Sequence, residues 1–208
     1  MKKILIIGAG AMGSAFTFPC IDNNHKVTLC EPYNSSLIKK ILSKKNFHPA
    51  LKINLPKKLI VKKYSNELLE KKWDLVVVAV SSIGMEFVGK KLKKMKNKNP
   101  ILILTKGLHY QKTEQRILTM SDQLNKFIKK GNISVLKGPC LAVELANKIK
   151  TSAVIANKDI KIAKSIGKLI STNYYKFDYS KDVKGVEICS AIKNLYSMII
   201  GSGEGLNT

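Results

Sequence analysis

Residues 2–31 read KKILIIGAGAMGSAFTFPCIDNNHKVTLCE, and the order of that stretch decides the fold. The run over 2–8 is short, continuous and rich in isoleucine, which predicts a strand buried on both faces. AMGSAFTFPCIDN predicts a helix over 11–23, and HKVTLCE a second strand over 25–31. Between the first strand and the helix stand Gly8, Gly10 and Gly13 in the spacing GxGxxG. That spacing alone is a weak signal; a strand before it and a helix after it give it a mechanism. Gly8 permits the tight turn, Gly10 lets backbone approach a pyrophosphate, and Gly13 lets the helix pack on the strand. The amides and dipole at the helix start then face the anion.

Glu31 ends the second strand, eighteen residues beyond Gly13. A carboxylate there can accept from both adenosine ribose hydroxyls and would repel a 2′-phosphate, which favours NAD. Lys39 and Lys40 stand close enough in sequence to soften that preference, so NADP stays open. A solvated strand end is the plainer reading of Glu31.

The same alternation continues. Strands are predicted at LIVKKY, DLVVVAVS (74–81), PILILTKG (100–107), ISVLKG, TSAVIA and YYKFDY. Helices are predicted at SSLIKKILSKK, SNELLEKK, MEFVGKKLKKMK and TEQRILTMSDQLNKFIKK, and after Pro139 and Asp159. NFHPALKINLPKK reads as a polar loop. β-branched runs alternating with helices mean a parallel sheet covered on both faces, a doubly wound, Rossmann-type α/β domain over 1–181. From about Asp182 the pattern becomes one long helix, read as the start of an all-α domain over 182–208 that is incomplete.

At 208 residues and 45% hydrophobic, the chain can build one full core and part of another domain. Cys20, Cys30, Cys140 and Cys189 form no CxxC pair, which argues for a reducing compartment and against structural zinc; no metal is expected. The net charge is +23, but only one of 37 basic residues, Arg116, is arginine. Forked guanidinium groups serve phosphate and base recognition better than solvated ammonium points, so no dedicated nucleic-acid binding is expected. The first residues imitate a signal peptide, yet glycines interrupt the apolar run, and no segment is apolar enough for a membrane span. A cytoplasmic protein is expected, with a homodimer among the open assemblies.

Three places carry candidate chemistry. Lys106 ends a predicted strand, and ligands of open parallel sheets bind beyond the strands' carboxyl ends. Gly107 after it eases close approach. In Gly138-Pro139-Cys140-Leu141-Ala142, Pro139 suits a first helical turn, and the free amides near Cys140 would face an anion such as a phosphate ester. An ordinary strand-to-helix turn fits the same residues. Lys193 has Cys189, Ser190, Tyr196 and Ser197 as helical neighbours. On so small and weakly polar a face an ammonium is partly desolvated, lowering its pKa and suiting it to proton transfer, with Asn194 adding a hydrogen bond. A lysine reaching out to solvent fits that segment equally well.

Together GAGAMGSAF, HPALKINLP, DLVVVAVSS, LTKGL, GPCLAVELA with TSAVIA, and DVKGVEICSAIKNLYSM resemble the NAD-dependent glycerol-3-phosphate dehydrogenases of bacterial and archaeal type. The resemblance implies an oxidoreductase interconverting dihydroxyacetone phosphate and sn-glycerol 3-phosphate with NAD(H), feeding glycerophospholipid synthesis. It implies Lys193 as the proton-transfer residue and Lys106 in contact with substrate and cofactor. It puts Gly138 and Cys140 at the substrate, Ala142 near the dinucleotide, and Ala11 and Met12 along the pyrophosphate loop. Cys140 stands where many members have serine, and His109 where they often have glutamate. It also implies that this chain is an N-terminal portion, the helix from Asp182 opening a domain that closes over the nicotinamide. Two alternatives remain at this level: another two-domain NAD(P)-dependent dehydrogenase, acting on a hydroxyacid or a sugar nucleotide, and a catalytically silent dinucleotide-binding fragment.

Overall fold

The computed structural model describes residues 1–94, 99–128 and 132–206. The elements in order are β1 (Lys3–Ile7), α1 (Ala11–Ala15), α2 (Thr17–Asp22), β2 (Lys26–Glu31), α3 (Ser35–Ser43), β3 (Phe47–His48), β4 (Ile53–Asn54) and β5 (Ile60–Lys63). There follow α4 (Asn66–Glu70), β6 (Leu75–Val78), α5 (Met85–Leu92), β7 (Ile101–Ile103), β8 (Leu108–Gln111), β9 (Arg116–Thr119) and α6 (Met120–Asn125). The chain continues through β10 (Ile133–Lys137), α7 (Ala142–Ala146), β11 (Thr151–Ala156), α8 (Ile160–Ile170), β12 (Tyr175–Ser180) and α9 (Val183–Leu206).

The expected doubly wound arrangement forms. An eight-stranded sheet has the order β12-β11-β10-β7-β6-β1-β2-β5. Strands run outward from β1 in one direction to β5, then from β6 in the other. The order therefore reverses between β1 and β6, and the crevice opens beyond their carboxyl ends, where the glycine turn lies. β1 shows why the sheet is stable: Ile4 and Ile6 enter the core on one face, Leu5 and Ile7 the core on the other. Burial on both faces is what a run without polar alternation requires.

Four local expectations are corrected. One pair in the sheet, β10 with β11, is antiparallel, so the sheet is mixed. The link between them holds only the five-residue α7, which packs on α1 instead of crossing the sheet, and the chain returns reversed. The helix expected over 113–130 begins only at Met120; before it, β8 and β9 form an antiparallel hairpin that turns at Gln115, φ +46°. The expected ends of that helix and of the one over 85–96 reach residues 129–130 and 95–96, outside the described residues. The helix over 11–23 is interrupted at Phe16, because Pro19 has no N–H to give the carbonyl of Ala15. The polar loop after α3 carries the small β3–β4 pair.

α9 is 24 residues long, and only Glu187 on it is fully buried. Its first turns pack over β10 and α6, while Leu195, Tyr196, Met198, Ile199 and Ile200 are exposed. Among the described residues, no helix is long and apolar enough to cross a membrane, and no group of three or more His, Cys, Asp or Glu could hold a metal ion.

Candidate functional site

The glycine turn is fixed by sterics. Gly8 has φ +112°, and a Cβ there would lie 2.5 Å from the carbonyl oxygen of Ala79 at the end of β6. A Cβ on Gly13 would run into the carbonyl oxygen of Gly8, so the helix can sit this close to the strand only with glycine. Gly10 is different: a Cβ there would meet no heavy atom within 4 Å. Its bare backbone therefore faces open space, into which a side chain would project. Ala11 and Met12, the first residues of α1, carry amides without helical partners and lie partly buried against the core.

Glu31 reaches this turn. Its Oε2 accepts the amide of Ala9 at 2.8 Å, and its Oε1 the amides of Tyr33 at 2.9 Å and Asn34 at 3.3 Å. The carboxylate thus shapes the turn, with three of its roughly four acceptor sites taken by backbone amides. His48, buried in the loop read as polar, supports the turn from below. Its Nε2–H donates to the carbonyl of Ala9 at 2.9 Å while its Nδ1 accepts from Leu51 N at 3.1 Å, which fixes the tautomer.

The second half of the site lies at the ends of β7 and β10. Lys106 follows β7, and its Nζ donates to the carbonyl of Gly138 at 3.4 Å. Partial burial lowers its pKa, and the charge of Lys193 on α9 lowers it further. Gly107 adopts φ +125°. Gly138 is glycine because β11 passes so close: a Cβ would lie 2.9 Å from Cα of Ala153. Cys140 is 5% exposed, and its side chain belongs to the core, where burial raises the thiol pKa. Any contact with a ligand would therefore run through its backbone. Ala142 opens α7, which packs on α1, so it stands beside the glycine-turn helix with Ala11 and Met12. Lys193 is half-buried on α9, and Asn194 beside it is exposed.

The structure thus gathers Gly8, Gly10, Ala11, Met12, Gly13, Glu31 and Ala142 around one turn, and sets Lys106 at the end of β7, with the charge of Lys193 acting on it from α9. Residues 3–163 match the family described as NAD-dependent glycerol-3-phosphate dehydrogenase N-terminus. The chain belongs to that family. A relative in Rickettsia typhi, named glycerol-3-phosphate dehydrogenase, NAD(P)+, is 32% identical over 96% of this chain and 61% of its own length. In Archaeoglobus fulgidus an NADP(+)-dependent glycerol-3-phosphate dehydrogenase is 29% identical over 95% of this chain and 59% of its own. The crystal structure of glycerol-3-phosphate dehydrogenase from Coxiella burnetii superposes with a TM-score of 0.83 at 23% identity, covering 99% of this chain and 62% of that one. The chain therefore spans about three fifths of the length of the family members it matches.

Three residues of this site escaped the sequence reading. His48 and Glu187 gave no local sign, since their partners lie 39 and 66 residues away. Lys137 did give one: it ends a strand beside a glycine, the same position that singled out Lys106.

Proposed function

We propose that this chain provides the dinucleotide-binding unit, residues 1–181, and the first helix of the substrate unit, from residue 182, of a glycerol-3-phosphate dehydrogenase. The observation that carries this is the open glycine turn after β1, with Lys106 at the end of β7 donating to Gly138 and feeling the charge of Lys193 on α9. The cofactor is NAD(H) or NADP(H), and the substrate pair is dihydroxyacetone phosphate and sn-glycerol 3-phosphate. When bound, a nicotinamide supplies or takes the hydride at the carbon that is ketone on one side of the reaction and alcohol on the other. Gly10 and the amides of Ala11 and Met12 hold the pyrophosphate, with Glu31 toward the ribose and Ala142 closing the turn. Lys193 as ammonium gives its proton to the developing alkoxide oxygen, and as amine takes it back in the reverse direction. Lys106 and the amides after Gly138, including that of Cys140, hold the anionic substrate and offset its charge, with Asn194 as a further donor. The four free cysteines suit a reducing cytoplasm, and the product would feed glycerophospholipid synthesis.

The test is NADH oxidation by the purified chain with dihydroxyacetone phosphate, against Lys193→Ala. The variant should bind NADH normally and lose about a hundredfold or more in turnover, as expected for a lost acid–base group. A loss below about tenfold would remove Lys193 from the chemistry.

A further inference from the structure

Lys137 has no part in the function argued so far, yet it is a lysine at the end of β10 with only 4% of its surface exposed. Its Nζ donates to the carbonyl of Thr105. Thr105 precedes Lys106, and Lys106 in turn donates to the carbonyl of Gly138, the residue after Lys137. Each strand end thus lends a lysine to the backbone of the other. The Thr105 hydroxyl carries the brace onward, donating to the carbonyl of Val80 at 2.8 Å.

The elements packed on β10 are β7, β11, α6 and α9. Two charged groups face Lys137: Glu187 from α9, whose carboxylate favours the ammonium, and Lys106 beyond β7, which opposes it. β11 reads TSAVIA and brings no charge, and α6 presents Ser121. Glu187 is 2% exposed, and its carboxylate accepts the Ser121 amide at 3.1 Å and the Ser121 hydroxyl. Burial is the largest influence on Lys137 and brings its pKa down to about 8. A methionine would fill the same space without the desolvation cost of an ammonium. What the charge adds is direction: it ties one strand end to another, with the carboxylate of Glu187 on the helix carrying Lys193 as the favourable charge it feels.

We propose that Lys137 is a positioning residue for the dehydrogenase reaction, and so rests on that reading: anchored to Thr105 and facing Glu187, it holds Lys106 in register with α9. The test uses lysine side-chain NMR and pH-dependent NADH oxidation on the 208-residue chain, on Lys137→Met, on Glu187→Gln and on the double variant. One lysine should titrate near 8 in the parent. That signal should vanish in Lys137→Met and move down by about a unit in Glu187→Gln, which removes the favourable charge. The Lys106 signal should be displaced in Lys137→Met.

In turnover, the parent should lose activity on the basic side as Lys137 gives up its proton, and Glu187→Gln should move that limb to lower pH with the NMR signal. Lys137→Met should lose the limb and about tenfold or more in kcat, near the lower end of what misplaced catalytic groups cost. A space-filling lysine would leave the limb fixed. A Lys137 signal titrating in the ordinary range of about 10.4 would overturn the proposal, as would a limb unmoved in Glu187→Gln. If the parent itself turns over nothing, the dehydrogenase reading fails instead. The brace is then decided by NMR alone: an unmoved Lys106 signal in Lys137→Met refutes it, a displaced one sustains it. Lys137→Met leaves Glu187 buried without its counter-charge, so the double variant, free of both charges, serves if the single one does not fold.

Discussion

Glu31 joins an observed task to a proposed one. It accepts the Ala9 amide inside the glycine turn and the Tyr33 amide beyond the strand, and in the proposed complex it also faces the adenosine ribose. Glu31→Ala should therefore lower stability by about 1–2 kcal/mol, the scale of hydrogen bonds to a charged group. It should also weaken NADH more than NADPH, since the repulsion toward a 2′-phosphate goes with it. Thermal unfolding and paired fluorescence titrations separate the tasks: lower stability with an unchanged NADH-to-NADPH ratio would leave Glu31 with its backbone role alone. The proposed ribose role rests on where a strand ends, which the sequence displays. The amide to Ala9 was not, because it spans 22 residues and depends on how the turn curls back over β2. Lys137 shows the opposite failure. The strand-end rule that selected Lys106 applied to it equally, and only the burial that makes it unusual was hidden.

Element boundaries followed the same division. Strands buried on both faces were legible because a continuous apolar run admits no other placement. The β8–β9 hairpin was not, because TEQRILTM is made of good helix formers and its turn lacks Gly, Asn or Asp. The turn instead puts Gln115 in the left-handed region, at φ +46°, where a side chain other than glycine is strained by about 1–2 kcal/mol. Gln115→Gly should accordingly raise stability, by up to about 1 kcal/mol after the added freedom of the unfolded chain is subtracted. A denaturant midpoint that falls would show that the left-handed backbone at Gln115 is no net strain on the hairpin. The reversal of β11 was likewise beyond sequence, since it turns on α7 choosing α1 as its neighbour over the sheet.

Charge is the property of the whole molecule that the sequence displays directly. With 37 basic and 14 acidic residues, repulsive pairs outnumber attractive ones, so the folded state carries a self-repulsion that the expanded chain relieves. Many attractive contacts are surface pairs such as Lys2 with Asp74 at 3.1 Å, individually worth little. Added salt should therefore raise the thermal midpoint at neutral pH, because screening removes more repulsion than attraction. Acid sharpens the case. Asp74 accepts the Lys3 amide at 2.8 Å, and that bond first, then Lys2, holds its carboxyl below the usual range. Its contribution is complete above the unfolded aspartate value of about 3.9 and is lost as pH falls through the lower folded value, where the unfolded chain no longer binds the extra proton. Over the same interval the other carboxylates neutralise and the net positive charge climbs. Stability should thus fall steeply below about pH 4 in low salt. Asp74→Asn should shallow that fall while salt still raises the midpoint at pH 7, because it removes one titrating tether and leaves the lysines in place. A midpoint that drops when salt is added at neutral pH would mean the few ion pairs outweigh the lysines, and the self-repulsion argument would be wrong.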